Sequence, residues 1–102
     1  MDDSSTSSSF AVLVEEVFTL RGRGTIAAGQ VTGGTVKAGA EGFLVRESGP
    51  AKRVQILQIQ VSRQTVPEAT VGALVGLLLQ GVDKSDIKPG DTLQSSPEKT
   101  DV

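Results

Sequence analysis

Glycine and proline recur at short intervals along this chain and limit the length of any regular element. The 102 residues include 12 Gly and 4 Pro. Between them stand short apolar runs rich in Val, Ile and Leu, such as 10–18 and 25–32. Runs of this kind, bounded by turn residues, are typical of β-strands and leave little room for long helices. We therefore expect an all-β barrel or sandwich.

Three local features predict departures from regular pleating. Gly29, inside the second run, predicts a bulge or a close approach of another backbone. The pair Gly33-Gly34 predicts a tight hairpin turn, because glycine adopts the positive φ angles that such turns require. Between residues 52 and 63 the apolar positions change parity at Ile56-Leu57, which predicts a bulge or a sharp bend there.

The last third of the chain contains the strongest apolar run. Residues 72–80 are apolar on both parities, which predicts a strand that is covered on both faces at the centre of the fold. Residues 83–87 allow one helical turn, Pro89-Gly90 predicts a turn, and residues 91–93 predict a short closing strand.

The residue types present exclude most catalytic chemistry. The chain has no Cys and no His, so the commonest ligands of transition metals and the commonest nucleophile and acid–base groups are missing. Glu15 and Glu16 are adjacent and would point to opposite faces of a regular strand, so they would not converge on a substrate. An enzyme that used either carboxylate would need a second group that the sequence does not supply. We expect no metal, no cofactor and no enzymatic activity.

The termini and the apolar runs bear on location and domain organisation. Asp2 and Asp3 follow Met1, and no apolar run is long enough to span a bilayer, so we expect a cytoplasmic protein without membrane association. Residues 1–9 are rich in Ser and residues 94–102 are polar, which predicts disordered tails around one domain at residues 10–93. The sequence makes no prediction of the oligomeric state.

Basic residues are concentrated in the first two thirds of the chain, around the loop Arg21-Gly22-Arg23-Gly24-Thr25. Residues 10–66 carry seven basic and four acidic side chains, whereas the remainder carries three basic and eight acidic ones. The loop arginines could grip phosphates, or could serve solubility and pair with the neighbouring glutamates. Phe18, just before the loop, could fill the core or offer a stacking surface. The glycines at 29, 33 and 34 lack the Lys and the following helix of a nucleotide-binding loop.

Several motifs, taken together and in order, resemble the second domain of elongation factor Tu and related translation GTPases. They are Glu15-Glu16-Val17-Phe18, Arg21 to Thr25, Gly29, Val36-Lys37-Ala38-Gly39, Val71 to Gly81, and Ile87 to Leu93. The resemblance implies a six-stranded, closed Greek-key β-barrel over residues 10–93. Because the chain lacks a nucleotide-binding loop, we expect it to have no GTPase domain of its own.

The resemblance also implies roles for particular residues. In that family the barrel lies beside a GTP-binding domain, and the surface near the first hairpin holds the aminoacylated 3′ end of transfer RNA or faces the small ribosomal subunit. By position, Glu15, Glu16 and Phe18 are similar to the stretch that lines the aminoacyl pocket. The loop of Arg21, Gly22, Arg23, Gly24 and Thr25 is similar to the loop that approaches ribosomal RNA.

Three positions depart from the pattern of the family. Ala28 stands where the members that bind transfer RNA have Thr, Leu74 stands where they have Asn, and Gln60 replaces a Glu near the terminal adenosine. These changes remove polar contacts that a buried ester and ribose would need. The resemblance therefore does not extend to the delivery of aminoacyl-tRNA.

Two hypotheses for function follow from the sequence. The first is a non-enzymatic binding module that contacts RNA or the ribosome through the arginine loop. The alternative is a protein–protein adaptor that docks on a GTPase or another partner in trans. Met1 and the polar C-terminal residues suggest a free-standing barrel, and a fragment of a longer protein is the other interpretation.

Overall fold

The computed structural model describes residues 10–46 and 50–95, which form eight strands and one 3-10 helix. The predicted tail at 1–9 and residues 96–102 of the other tail lie outside the described residues. Gln94, expected to begin that second tail, is the last residue of β8. The elements are β1 (Phe10–Leu20), β2 (Gly24–Lys37), β3 (Glu41–Val45), β4 (Lys52–Val61), β5 (Gln64–Val66), β6 (Glu68–Thr70), β7 (Leu74–Gln80), the 3-10 helix Lys84–Asp86 and β8 (Thr92–Gln94).

Six of the strands close into an antiparallel barrel. The strand order is β1-β8-β3-β4-β7-β2, and β2 pairs again with β1 to complete the ring. The short strands β5 and β6 pair with β4 and with the end of β2, outside this ring. Because β8 pairs with both β1 and β3, it closes the barrel as expected. The predicted six-stranded closed Greek-key barrel is confirmed.

Aliphatic side chains fill the interior of the barrel. Leu44, Leu93, Val12 and Val31 lie side by side on β3, β8, β1 and β2, and all four are buried. Across the interior, Ile59, Leu77 and Ala27 form a similar row on β4, β7 and β2. Full burial of one large aliphatic side chain stabilises the fold by about 1.5–3 kcal/mol. The core therefore consists mainly of aliphatic residues from every strand of the ring, and Phe10 is the aromatic residue among its buried members in the described part of the chain.

Two predicted irregularities are confirmed as bulges or close approaches. Gly29 lies opposite Val14 on β1, and the next paired residue on β1 is Glu16, so Glu15 is the extra residue of a bulge. A Cβ on Gly29 would overlap the carbonyl oxygen of Leu13, which shows why glycine is needed there. On β4 the pairing with β7 jumps past Leu57, at the point where the apolar parity changes.

The predicted hairpin turn at Gly33-Gly34 is wrong. β2 runs without interruption from Gly24 to Lys37, and Gly33 and Gly34 pair with Ala11 and Phe10 of β1. Gly34 does have a positive φ of 67°, but it lies inside β2, paired with Phe10, and not in a chain reversal; the nearby change of register falls between Gly33 and Val31. Beyond this point β2 pairs with β6 instead. The same backbone freedom suits a bulge and a turn, and pairing with distant strands decided between them.

The β4–β5 hairpin carries no sequence signal that predicts it. Its two-residue turn consists of Ser62 and Arg63, whose φ angles are 54° and 68°. Positive φ at both central residues is typical of a type I′ turn, which favours Asn and Gly. A turn built from Ser and Arg is therefore strained and shows none of the residues that usually mark it.

The last part of the chain follows the predictions, with one correction. The 3-10 helix lies where a helical turn was expected, and Gly90 adopts a φ of 100° in the predicted turn. β7 pairs with β2 on one side and β4 on the other, and residues 77–79 are buried on both faces. Leu74, however, is 66 % exposed, so β7 is covered on two faces only in its second half. No helix in the described part of the chain has the length and apolar character to cross a membrane.

Candidate functional site

The β1–β2 hairpin ends in a three-residue loop, Arg21-Gly22-Arg23, at one end of the barrel. The loop is closed by a hydrogen bond of 2.9 Å from the amide of Arg23 to the carbonyl of Leu20. Gly22 has a φ of 78° and Gly24 a φ of 140°, in the region that favours glycine. A Cβ on Gly24 would also lie 2.8 Å from the carbonyl oxygen of Leu79. These glycines allow a tight loop that leaves both arginine side chains exposed.

Thr25 fastens this hairpin to the neighbouring loop. Its side chain is 3 % exposed, and its hydroxyl donates a hydrogen bond of 2.9 Å to the carbonyl of Val82. The side chain of Thr25, predicted as a contact residue, is thus occupied inside the protein. It holds the end of β2 against the segment between β7 and the 3-10 helix.

Two adjoining grooves flank Arg23. The first, here called the loop groove, lies between the β1–β2 hairpin and the 3-10 helix, and its polar walls include Thr19, Arg23, Lys84 and Ser85. The second, here called the side groove, lies on the other side of Arg23. Its charged residues are Arg23, Lys52, Asp83 and Asp86. Asp83 and Gly24 border both grooves.

Two of the charges of the side groove, those of Lys52 and Asp86, are paired within the protein. Lys52 Nζ lies 3.6 Å from Asp86 Oδ2, and the same oxygen accepts a hydrogen bond of 3.0 Å from the amide of Asp83. The hydrogen bond from Asp83, followed by attraction to Lys52 and Arg46, lowers the pKa of Asp86 against a smaller opposing effect of desolvation. Arg46 also donates to the main-chain carbonyl of Asp86 at 3.4 Å.

The loop groove keeps its positive charges available. Among residues 10–46 and 50–95, neither Arg23 nor Lys84 lies within 4.0 Å of a carboxylate. The ion pairs considered for Arg21 and Arg23 with the glutamates of β1 are likewise not found in this part of the chain. An anion entering the loop groove would meet guanidinium and ammonium groups that form no ion pair within the described residues, although the carboxylate of Asp83 also borders the groove.

The other predicted residues lie on the outer side of the barrel wall formed by β1, β2, β7 and β4, here called the outer face. Glu16, Ala28, Gly76 and Gln60 pair in one row across these four strands. Leu74 lies in a neighbouring row opposite Gln30 of β2. The structure thus brings Glu16 together with all three positions at which the sequence departs from the family pattern.

The bulge in β1 changes how the two glutamates are presented. Val14 is buried and Val17 packs on the core, so Glu15 and Glu16 both lie between inward-facing residues, and both are exposed. The expectation that they point to opposite faces is wrong, because the extra residue of the bulge interrupts the inward–outward alternation of side chains along β1. Both carboxylates are on the solvent side of the barrel.

The outer face is rich in exposed apolar groups. Phe18 is 49 % exposed and lies opposite Ile26, so it is not a core residue. Leu13, Leu57 and Leu74 are also exposed on this wall. Single exposed leucines are ordinary on a protein surface, but several on neighbouring strands favour an interaction surface.

Lys84 and Ser85 belong to the candidate site but were not predicted from the sequence. They follow the central strand by a few residues and are separated from the arginine loop by some sixty positions in the chain. Only the closure of the barrel places the 3-10 helix beside the β1–β2 hairpin. The described residues contain no group of three or more carboxylates that could hold a metal ion.

The fold described above is a closed six-stranded antiparallel barrel with a glycine-jointed basic hairpin at one end, and comparison with known proteins assigns it to the β-barrel modules of translation factors. The family model for elongation factor Tu domain 2 matches residues 24–94, and the chain belongs to this family. Domain 2 of translation GTPases is a non-catalytic β-barrel. The match begins at Gly24, so it does not include Glu15, Glu16, Phe18 or the two loop arginines.

A solved structure gives the same result. The chain is similar to the apo form of translation elongation factor SelB from Methanococcus maripaludis, with 32 % sequence identity and a TM-score of 0.79. The similarity covers 90 % of this chain but 20 % of SelB. The chain thus corresponds to about a fifth of that factor in length.

Proposed function

We propose that this protein is a non-enzymatic binding module of the translation machinery in the cytoplasm, and that it contacts RNA or the ribosome through the β1–β2 hairpin. The observation that carries the proposal is the loop groove, where exposed basic side chains stand on a hairpin that is fastened to the barrel by Thr25 and Val82. A guanidinium group binds phosphate oxygens through two parallel hydrogen bonds. An anchored loop loses less conformational freedom on binding than a mobile one.

Delivery of aminoacyl-tRNA is not part of this proposal. On the outer face, Ala28 and Leu74 provide no side-chain hydrogen bond to a ribose or an ester, and Gln60 is uncharged. A polar ligand buried there would lose hydrogen bonds to water without replacing them, at a cost of about 1–3 kcal/mol for each unsatisfied group.

Titration of labelled RNA tests the proposal directly. The affinity of a short, fluorescein-labelled single-stranded RNA is measured by fluorescence anisotropy over about 50–200 mM KCl. The double variant Arg21→Gln/Arg23→Gln should bind more weakly and should lower the slope of log K against log salt by about 1.4, since each lost phosphate contact contributes about 0.7.

A matched control removes the same charge elsewhere. Lys37 and Arg63 lie at the opposite end of the barrel from the loop, and the double variant Lys37→Gln/Arg63→Gln should keep the slope of the wild type. Absence of binding by the wild type at low salt, together with no co-sedimentation with ribosomes, would refute the proposal. Equal losses in the two double variants would refute the assignment to the hairpin.

The exposed outer face favours a second candidate function, a protein–protein adaptor that docks on a GTPase or another protein in trans. Such a contact buries apolar area and should resist both nuclease and moderate salt. The test measures binding to a purified translation GTPase by calorimetry. Leu74→Glu should abolish binding, whereas Val71→Glu, an exposed residue in the turn before β7, should not. Binding that both variants keep would exclude the outer face as the docking surface.

A further inference from the structure

The loop groove has a second wall that the arginine hairpin does not supply. This wall is the 3-10 helix, where Lys84 and Ser85 are exposed and border the groove. The buried side chains of Val82 and Ile87 hold the segment on either side of the helix. Because the carbonyl of Val82 also accepts the hydroxyl hydrogen of Thr25, the two walls are joined to each other. Their spacing is therefore built into the fold.

The distribution of charge favours an anion in the loop groove over the side groove. Lys52 in the side groove is already paired with Asp86, and both carboxylates there would repel an anion. The loop groove has one carboxylate, that of Asp83, facing the two cations Arg23 and Lys84. Arg21 adds a further positive charge on the same hairpin, so the excess is positive on this side of Arg23 only.

The neutral groups of the loop groove suit a phosphate backbone. Thr19 on the hairpin and Ser85 on the helix place hydroxyl groups on both walls. Hydroxyl and basic side chains together provide the usual contacts to phosphate and sugar oxygens in nucleic-acid complexes. The groove is open to solvent, so a polymer can pass along it rather than end in it.

We infer that a stretch of RNA phosphodiester backbone lies in the loop groove between Arg23 and Lys84, and that Lys84 and Ser85 form the second half of the RNA-binding site. This inference rests on the proposed function and extends it to residues outside the arginine hairpin. It also assigns a role to Asp83, whose carboxylate limits the affinity for the phosphate backbone by repulsion.

Single substitutions on the second wall test the inference with the same labelled RNA. Lys84→Gln should weaken binding uniformly across RNA sequences and should lower the salt slope by about 0.7, the value of one phosphate contact on a single strand. Lys88→Gln is the matched control, because Lys88 is also exposed on the same segment but borders neither groove. Asp83→Asn should strengthen binding, since it removes a negative charge at nearly constant volume.

The outcomes separate this inference from the proposed function. If the wild type binds and the double arginine variant loses affinity, but Lys84→Gln behaves like Lys88→Gln, the second wall is not part of the site and the proposed function stands. If the wild type does not bind RNA, the proposed function itself fails. A loss for the double arginine variant and for Lys84→Gln but not for Lys88→Gln, with a gain for Asp83→Asn, supports RNA binding in the loop groove. The urea midpoint of each variant shows that the fold is retained.

Discussion

Replacement of Gly29 by alanine should force β1 and β2 apart at a point where their backbones lie close together. An added methyl group would overlap the carbonyl oxygen of Leu13 and would lie 2.9 Å from its carbonyl carbon and 3.2 Å from the Cα of Val14. All three atoms belong to the main chain, so no change of rotamer relieves the contact. The two strands must separate locally, beside the bulge at Glu15.

The expected cost follows from two contributions. Overpacking in a closely packed region costs about 1–3 kcal/mol. Local separation of β1 from β2 weakens one or two ladder hydrogen bonds, each with a net value of about 0.5–1.5 kcal/mol. We expect Gly29→Ala to lower the free energy of unfolding by about 2–4 kcal/mol, a large share of the roughly 5–15 kcal/mol typical of such a domain.

Equilibrium unfolding in urea, followed by far-ultraviolet circular dichroism, measures this difference. The control is Gly33→Ala on the same strand, where the nearest atom to the added methyl group is the Cβ of Ala11 at 3.8 Å. This substitution should be neutral or stabilising by up to about 1 kcal/mol, because alanine loses less conformational entropy than glycine. If the two variants unfolded at the same urea concentration, the argument from close backbone approach would be refuted.

Three further predictions concern single contacts. Thr25→Val should lower the free energy of unfolding by about 1–3 kcal/mol, because it leaves the carbonyl of Val82 without its hydrogen-bond donor. Thr32→Val loses only an exposed hydrogen bond, so in the same urea assay it should change the free energy of unfolding by less than about 0.5 kcal/mol. Ser62→Asn combined with Arg63→Gly should raise the thermal midpoint, since Asn and Gly relieve positive φ angles with a strain of about 1 kcal/mol or more; an unchanged midpoint would mean that the turn is not strained. The pKa of Asp86 is lowered in the folded protein, so its contribution to stability should be complete above pH 3.8, the ordinary pKa, and should be lost as the pH falls through the folded pKa. Asp86→Asn should remove this part of the acid sensitivity. An NMR titration that gave a raised pKa for Asp86 would contradict the prediction.

Local periodicity was enough to predict several features of the fold. The parity change at Ile56-Leu57 lies within one strand, and a strand that keeps its apolar residues on one face can accommodate it only with an extra residue. The need for glycine at position 29 was also visible, because an isolated glycine in a strand indicates a bulge or a close neighbour. These signals are contained in the segment itself, so they can be read without knowing which strand pairs with it.

Features that depend on a distant partner could not be predicted in this way. Gly33-Gly34 has the backbone freedom of a turn, but pairing with Phe10 and Ala11 keeps it inside β2. The same limit applies to the candidate site. The arginine hairpin is contiguous and was recognised, whereas Lys84 joins it only through the barrel, and the outward direction of Glu15 depends on a bulge opposite Gly29.

The sequence by itself determined an all-β fold with a basic, glycine-jointed hairpin, because strand periodicity and turn residues are properties of the chain. The choice of a translation-factor barrel over a sandwich came from the resemblance that the ordered motifs carry. Only the tertiary structure decided which residues come together to form the loop groove and the outer face. Closure of the ring sets the hairpin against the 3-10 helix and aligns Glu16, Ala28, Gly76 and Gln60 across four strands. A groove or a face consists of residues that are remote in sequence, and only long-range pairing fixes their register and the side of the barrel to which they point.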